Sequence, residues 1–101
     1  MLRLVALGYE QITVGTGASY LAPPRTATHA LIAVESQPIR WRVGQNPTGT
    51  TGIRQVAGDV IEWLDSRISY VSMLDEIRFT RDGTATADAA LDIQYFVLYN
   101  S

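Results

Sequence analysis

The sequence predicts an all-β fold: a single antiparallel β-sandwich or jelly-roll-like barrel of about seven to eight short strands. Three observations lead there. Apolar and polar residues alternate with period two in short runs. Gly, Pro, Asp and Asn cut those runs at intervals of about 8–12 residues. No long stretch carries the 3.6-residue apolar spacing of an amphipathic helix. With 101 residues the chain has room for one domain, spanning residues 1–101.

The first run covers residues 2–7 and continues weakly through Ile12 and Val14, until Gly15 and Gly17 break it. Residues 1–14 are read either as the first strand or as an arm that adds to a neighbour's sheet edge. A short piece at 19–22 leads to Pro23-Pro24, which denies the ladder its N–H donors. In residues 29–35, Ala30, Ile32 and Val34 face one way and Leu31 and Ala33 the other. Apolar residues on both faces indicate a central strand or one covered by a partner. Residues 38–43 alternate most cleanly, with Ile39, Trp41 and Val43 inward and Arg40 and Arg42 outward.

Residues 44–52 (GQNPTGTTG) are a loop by composition. Residues 53–57 form a short strand, Gly58-Asp59 a turn, and residues 60–64 the next strand. Residues 65–76 are open to a helical turn, through Ile68, Val71 and Leu74-Asp75, or to an irregular strand, through Ile68, Tyr70 and Ser72, and are read as a bulged crossover. Residues 77–80 are a strand, Arg81-Asp82-Gly83 a turn, and residues 84–88 small and polar. In the last strand, residues 89–99, Leu91, Ile93, Tyr95, Val97 and Tyr99 share a face, with Phe96 and Leu98 opposite.

The composition narrows the function. The net charge is −2, so nothing argues for nucleic acid, which calls for a basic patch. All eight basic residues are arginine, the cation best suited to forked ion pairs and interfaces. Without cysteine there are no disulfides and no thiolate metal sites. The opening residues are too short and too mixed for a leader or a membrane span.

Catalytic chemistry finds little support. His29 is the only histidine and reads as a partly exposed residue at a strand end. Gly15-Thr16-Gly17 lacks the third glycine, the lysine and the helix of a phosphate loop, and reads as a turn. Asp59, Glu62 and Asp65, and the pair Asp75-Glu76, do not have the spacing of a calcium loop and read as solvated turn carboxylates. Trp41 and Trp63 alternate with inward residues and read as core. Tyr9, Tyr20 and Tyr99 are the candidates for exposed interface aromatics. No catalytic residue, cofactor or metal site is expected.

Several short motifs follow one another in an ordered series. A Pro-Pro segment precedes THALIAVESQPIRWRVG at residues 28–44. Then come Pro47-Thr48, Gly52-Ile53, Ala57-Gly58-Asp59, Ile77-Arg78-Phe79 and a closing AALDIQYF at residues 89–96. This order, over about residues 20–97, resembles small virion proteins encoded among the structural genes of tailed bacteriophages. In those proteins a strand of the form ALIQVEG is followed by PVRWR, a Pro-Thr loop, an AAGD turn, an IR strand and a final A-x-L-x-V-x-Y-Y strand. The chain departs from that pattern at Glu35-Ser36-Gln37, where a glycine turn is usual, and in residues 65–76.

The resemblance implies a non-enzymatic β-sandwich subunit on the virion: a decoration or cement protein on the capsid surface, made in the host cytoplasm. Its expected partners are further copies of itself, as a homotrimer, and the major capsid protein. Arg40, Arg42, Tyr9, Tyr20 and Leu31 are the candidate interface residues. The alternative is a glycan- or receptor-binding module of a head or tail fibre, using exposed aromatics and the loops at 44–52 and 81–88.

Overall fold

Alternation forces each strand to bury one row of side chains, so two sheets close over a shared apolar layer. The computed structural model describes residues 2–63 and 74–100 and shows this arrangement. Its strands are β1 (Leu2–Val14), β2 (Ser19–Tyr20), β3 (His29–Glu35), β4 (Ile39–Val43), β5 (Ile53–Gln55), β6 (Val60–Trp63), β7 (Ile77–Arg81) and β8 (Ala89–Asn100). A single 3-10 turn, Leu74–Glu76, precedes β7. Most of the region read as a bulged crossover, together with Leu64 at the end of the sixth run, lies outside the described residues.

One sheet has the order β1-β8-β3-β6 and the other β2-β7-β4-β5, and every ladder is antiparallel. The pairs β1/β8, β2/β7, β3/β6 and β4/β5 nest inside one another like the rungs of one long hairpin. That hairpin is rolled so that successive rungs fall in alternate sheets, which is a jelly roll. The expected β-sandwich is therefore present, in its jelly-roll form.

The inward rows make one core: Ile32 and Val34 from β3, Ile39 from β4, Ile61 from β6, Ile77 and Phe79 from β7, and Leu91, Ile93 and Tyr95 from β8. Trp41, Val43 and Trp63 pack against it from its margin, with the two indoles edge to face at 6.4 Å.

Within the segment read as a first strand or an arm, Leu2–Val14 is a strand of the sandwich, paired with β8 along its whole length. A bulge at Leu7 shifts its register between Ala6 and Gly8. The shift exchanges the two faces: Leu4 and Ala6 lie outside with Leu98 and Phe96, whereas Ile12 and Val14 lie inside with Leu91 and Ala89. The apparent single run in the sequence is thus two half-strands of opposite facing. β3 pairs with β8 only as far as Phe96, so beyond that point, among the described residues, β1 and β8 continue as a two-stranded ribbon.

Glu35-Ser36-Gln37, where the virion pattern has a glycine turn, is a tight turn with Ser36 at φ 69° and Gln37 N–H donating to Glu35 O at 2.8 Å. Serine thus adopts the left-handed geometry that glycine would adopt more freely. Contrary to expectation, His29 is buried. It sits opposite Phe96 in the ladder, with its Nδ1 against the Thr28 hydroxyl.

Candidate functional site

A jelly roll presents two outer sheet faces, and in this chain they differ sharply in chemistry. On the outer face of β1-β8-β3-β6, in-register rows run Tyr9–Gln94–Leu31–Glu62 and Gln11–Asp92–Ala33–Val60. Tyr9, Gln11, Leu31, Ala33, Val60, Asp92 and Gln94 line a depression of about 480 Å³. Tyr9 is 79% exposed, and Val60 and Leu4 are exposed as well. Gln94 Nε2 donates to Gly8 O at 2.9 Å and to Tyr95 O at 3.3 Å, and Gln94 and Asp92 are the polar lining on β8.

The outer face of β2-β7-β4-β5 carries arginines. Arg42 stands directly across from Arg78 on β7, and Arg40 directly across from Arg54 on β5. Asp82, in the turn after β7, accepts from Arg40 Nε at 2.6 Å and lies 3.5 Å from Arg54 Nε. Thr84 also donates to it, from its N–H at 2.9 Å and from its hydroxyl. These hydrogen bonds, Thr84 first and then Arg40, hold the Asp82 carboxyl well below the usual carboxylate range. The side chain is 2% exposed, and its burial alone would raise the carboxyl, but the Thr84 and Arg40 contacts act the other way and together are stronger.

Close backbone approach fixes these arginines. Gly52, at φ +116°, brings its carbonyl to Arg40 Nη1 at 3.0 Å. Gly49 and Gly83 touch, with Gly83 N–H donating to Gly49 O at 2.8 Å. The loops at 44–52 and 81–88 are thereby tied to each other.

The structure divides the sequence-predicted interface residues between the two faces. Tyr9 and Leu31 meet in the depression. Tyr20 lies under Arg78, whose guanidinium carbon is 5.4 Å from the ring centroid, on the same face as Arg42. Arg40 does not join Arg42 in a partner-facing row, because Asp82 and Gly52 occupy its guanidinium. An outward arginine on a strand is open to pairing with an acid on an adjacent strand, and Glu35, Glu62 and Asp92 are the strand acids nearest in pattern. All three lie on the other sheet, so none serves.

Sequence reasoning missed Asp82, Arg54 and Arg78. One local signal was available: Asp82-Gly83-Thr84 is the pattern of an aspartate that caps its own turn. Among the described residues, no group of three or more His, Asp or Glu side chains is placed to hold a metal ion. No family model, curated protein or solved structure matches the chain.

Proposed function

We propose that the chain is a non-enzymatic structural subunit of a tailed-phage virion: a capsid decoration protein that reinforces the head through contacts made by its outer sheet faces. The observation that carries this reading is the outer face of β1-β8-β3-β6. There Tyr9 and Val60 are exposed beside the half-buried Leu31 around one depression. Large apolar side chains exposed together on one sheet face and rimmed by polar groups mark an interaction site.

Two further features agree with it. The motif series over about residues 20–97 resembles small virion proteins, and jelly rolls recur among capsid domains. The two-stranded ribbon beyond Phe96 is the kind of element that is marginal alone in water and gains stability when a neighbour packs on it. Its partners in this reading are further copies of the chain, as a trimer, and the major capsid protein.

Quantitative mass spectrometry of purified particles tests the proposal. The expected result is a copy number comparable with that of the capsid protein. Absence from the particles overturns the reading, and a handful of copies moves the chain to a tail or fibre.

The depression itself favours a second reading, glycan binding. An exposed aromatic ring, Tyr9, borders a concave patch with amide and carboxylate groups from Gln11, Gln94 and Asp92. An apolar platform with a few convergent polar groups is the usual form of a small-ligand site. Glycan-array binding that is lost in Tyr9→Ala would favour this reading, and an array without signal would remove it.

A further inference from the structure

Like charges placed directly opposite each other on neighbouring strands repel. The outer face of β2-β7-β4-β5 contains two such pairs, Arg40/Arg54 and Arg42/Arg78, in adjacent rows. The chain resolves the first pair itself: the Asp82 carboxylate sits between the two guanidinium groups, 2.6 Å from one Nε and 3.5 Å from the other.

The second pair has no such carboxylate among the described residues. Arg42 is exposed and has no acidic partner there. Arg78 reaches Asn46 Oδ1 at 3.2 Å through Nη1 and stands 3.9 Å from Glu76 Oε2 through Nη2. Its Nε is buried without a hydrogen-bond partner. A buried donor on a charged group left unsatisfied is costly, and such an atom calls for an explanation.

We infer that Arg42 and Arg78 form a clamp for an Asp or Glu side chain of a partner protein, seated between them as Asp82 is seated between Arg40 and Arg54. The forked geometry of guanidinium suits a carboxylate that bridges two of them. The surroundings favour a protein over a small acid. The half-exposed Tyr20 ring under Arg78 supplies the aromatic and arginine pairing typical of protein contacts. The inference deepens the assembly reading by naming the chemistry of one contact, and rests on it only in taking the partner to be a protein.

Nuclear magnetic resonance of the arginine Nε–H groups in the whole protein, at low salt, tests the clamp. The probes are a capped tri-glutamate peptide, a capped tri-glutamine peptide and sodium phosphate. The expected result is saturable shifts at Arg42 and Arg78 with the glutamate peptide, with a dissociation constant of about 1 mM. Arg40 and Arg54, held by Asp82, should move little, and the glutamine peptide should have no effect. Arg42→Lys keeps the charge but loses the fork. It should weaken peptide binding several-fold while melting with the parent.

Equal shifts at all four arginines, no shifts, or phosphate acting as well as the peptide would overturn the clamp. So would an Arg42→Lys variant that binds like the parent. The clamp and the virion reading fail separately: a positive titration with a chain absent from particles leaves the clamp standing and removes only the decoration role.

Discussion

The Tyr95 hydroxyl donates to Glu10 Oε1, and the same carboxylate oxygen accepts the backbone N–H of Ala22 at 2.9 Å. One acid on β1 thus joins β8 to the segment that follows β2. Burial first, and then the Glu10 carboxylate, pushes the Tyr95 phenol above the ordinary tyrosine range. A raised acid in the folded state gives stability that is complete below the unfolded pKa of about 10 and is lost as pH rises beyond it. Alkaline titration of tyrosine absorbance should therefore leave Tyr95 protonated until the protein unfolds. In Tyr95→Phe the steep alkaline loss of stability should disappear.

The sign is opposite at Asp82. Its carboxyl is depressed in the folded state, so its contribution is complete above the unfolded pKa of about 4 and is lost as pH falls below that value. Melting temperatures measured from pH 6 to pH 2 should fall in the parent and fall less steeply in Asp82→Asn. At pH 7, Asp82→Asn should melt below the parent, because Arg40 and Arg54 then face each other without an anion. A variant that matches the parent at pH 7 would show that solvent already screens this pair.

Gly52 is a backbone requirement. At φ +116°, a Cβ there would stand 3.0 Å from Pro47 Cβ and 3.2 Å from the Trp41 carbonyl. Gly52→Ala should cost about 1–3 kcal/mol, the range for a side chain forced into such a region. Gly44→Ala also has a positive φ but meets nothing within 4 Å, and should cost less. Thermal denaturation of the two variants side by side checks the order.

Trp41 lies inward at the core margin, with Nε1 buried and without a hydrogen-bond partner. Trp41→Ala should cost about 3 kcal/mol, the low end for a large aromatic, because the indole is only half buried. Trp41→Phe removes the unsatisfied N–H while keeping the ring, and should cost markedly less than the alanine change. Chemical denaturation gives both values. A phenylalanine variant as unstable as the alanine one would show that the indole N–H is satisfied in solution.

Leu31 separates folding from assembly. It points out of β3 into the depression, so Leu31→Glu should melt within about 0.5 kcal/mol of the parent, as surface substitutions do. In the assembly reading it should also lower the oligomeric state or the particle occupancy. Light scattering after size exclusion checks the first and particle binding the second.

The sequence made the sandwich legible wherever alternation was unbroken. Residues 29–35, 38–43 and 89–99 show their rows directly: Ala30, Ile32, Val34, Ile39, Leu91, Ile93, Tyr95 and Val97 are buried, Trp41 and Val43 lie at the core margin, and only Tyr99, in the ribbon, is exposed. The bulge at Leu7 hid the true facing of β1: one inserted residue exchanges faces while leaving the composition unchanged. Leu4 and Ala6 therefore look like a continuation of Ile12 and Val14 although they face the other way. Tyr9 and Tyr20 could be picked out as exposed aromatics. The arginine face could not, because it requires knowing that β7 lies between β2 and β4. The contact between Arg40 and Asp82 spans 42 residues of sequence, and nothing local announces it.

The nested ladders also set an order of events during synthesis. The β4/β5 rung closes a short loop and can form early, whereas β1 must wait for β8: the hydrogen bond from Gln94 to Gly8 spans 86 residues. Closing so long a loop is slow compared with local pairing. On the ribosome, β1 is made before β8 and lacks this partner until residues 89–100 have emerged, which leaves an apolar edge open to stray partners. The register change at Leu7 exists only in the β1/β8 ladder, so which face of β1 turns inward on either side of it is settled only when β8 pairs.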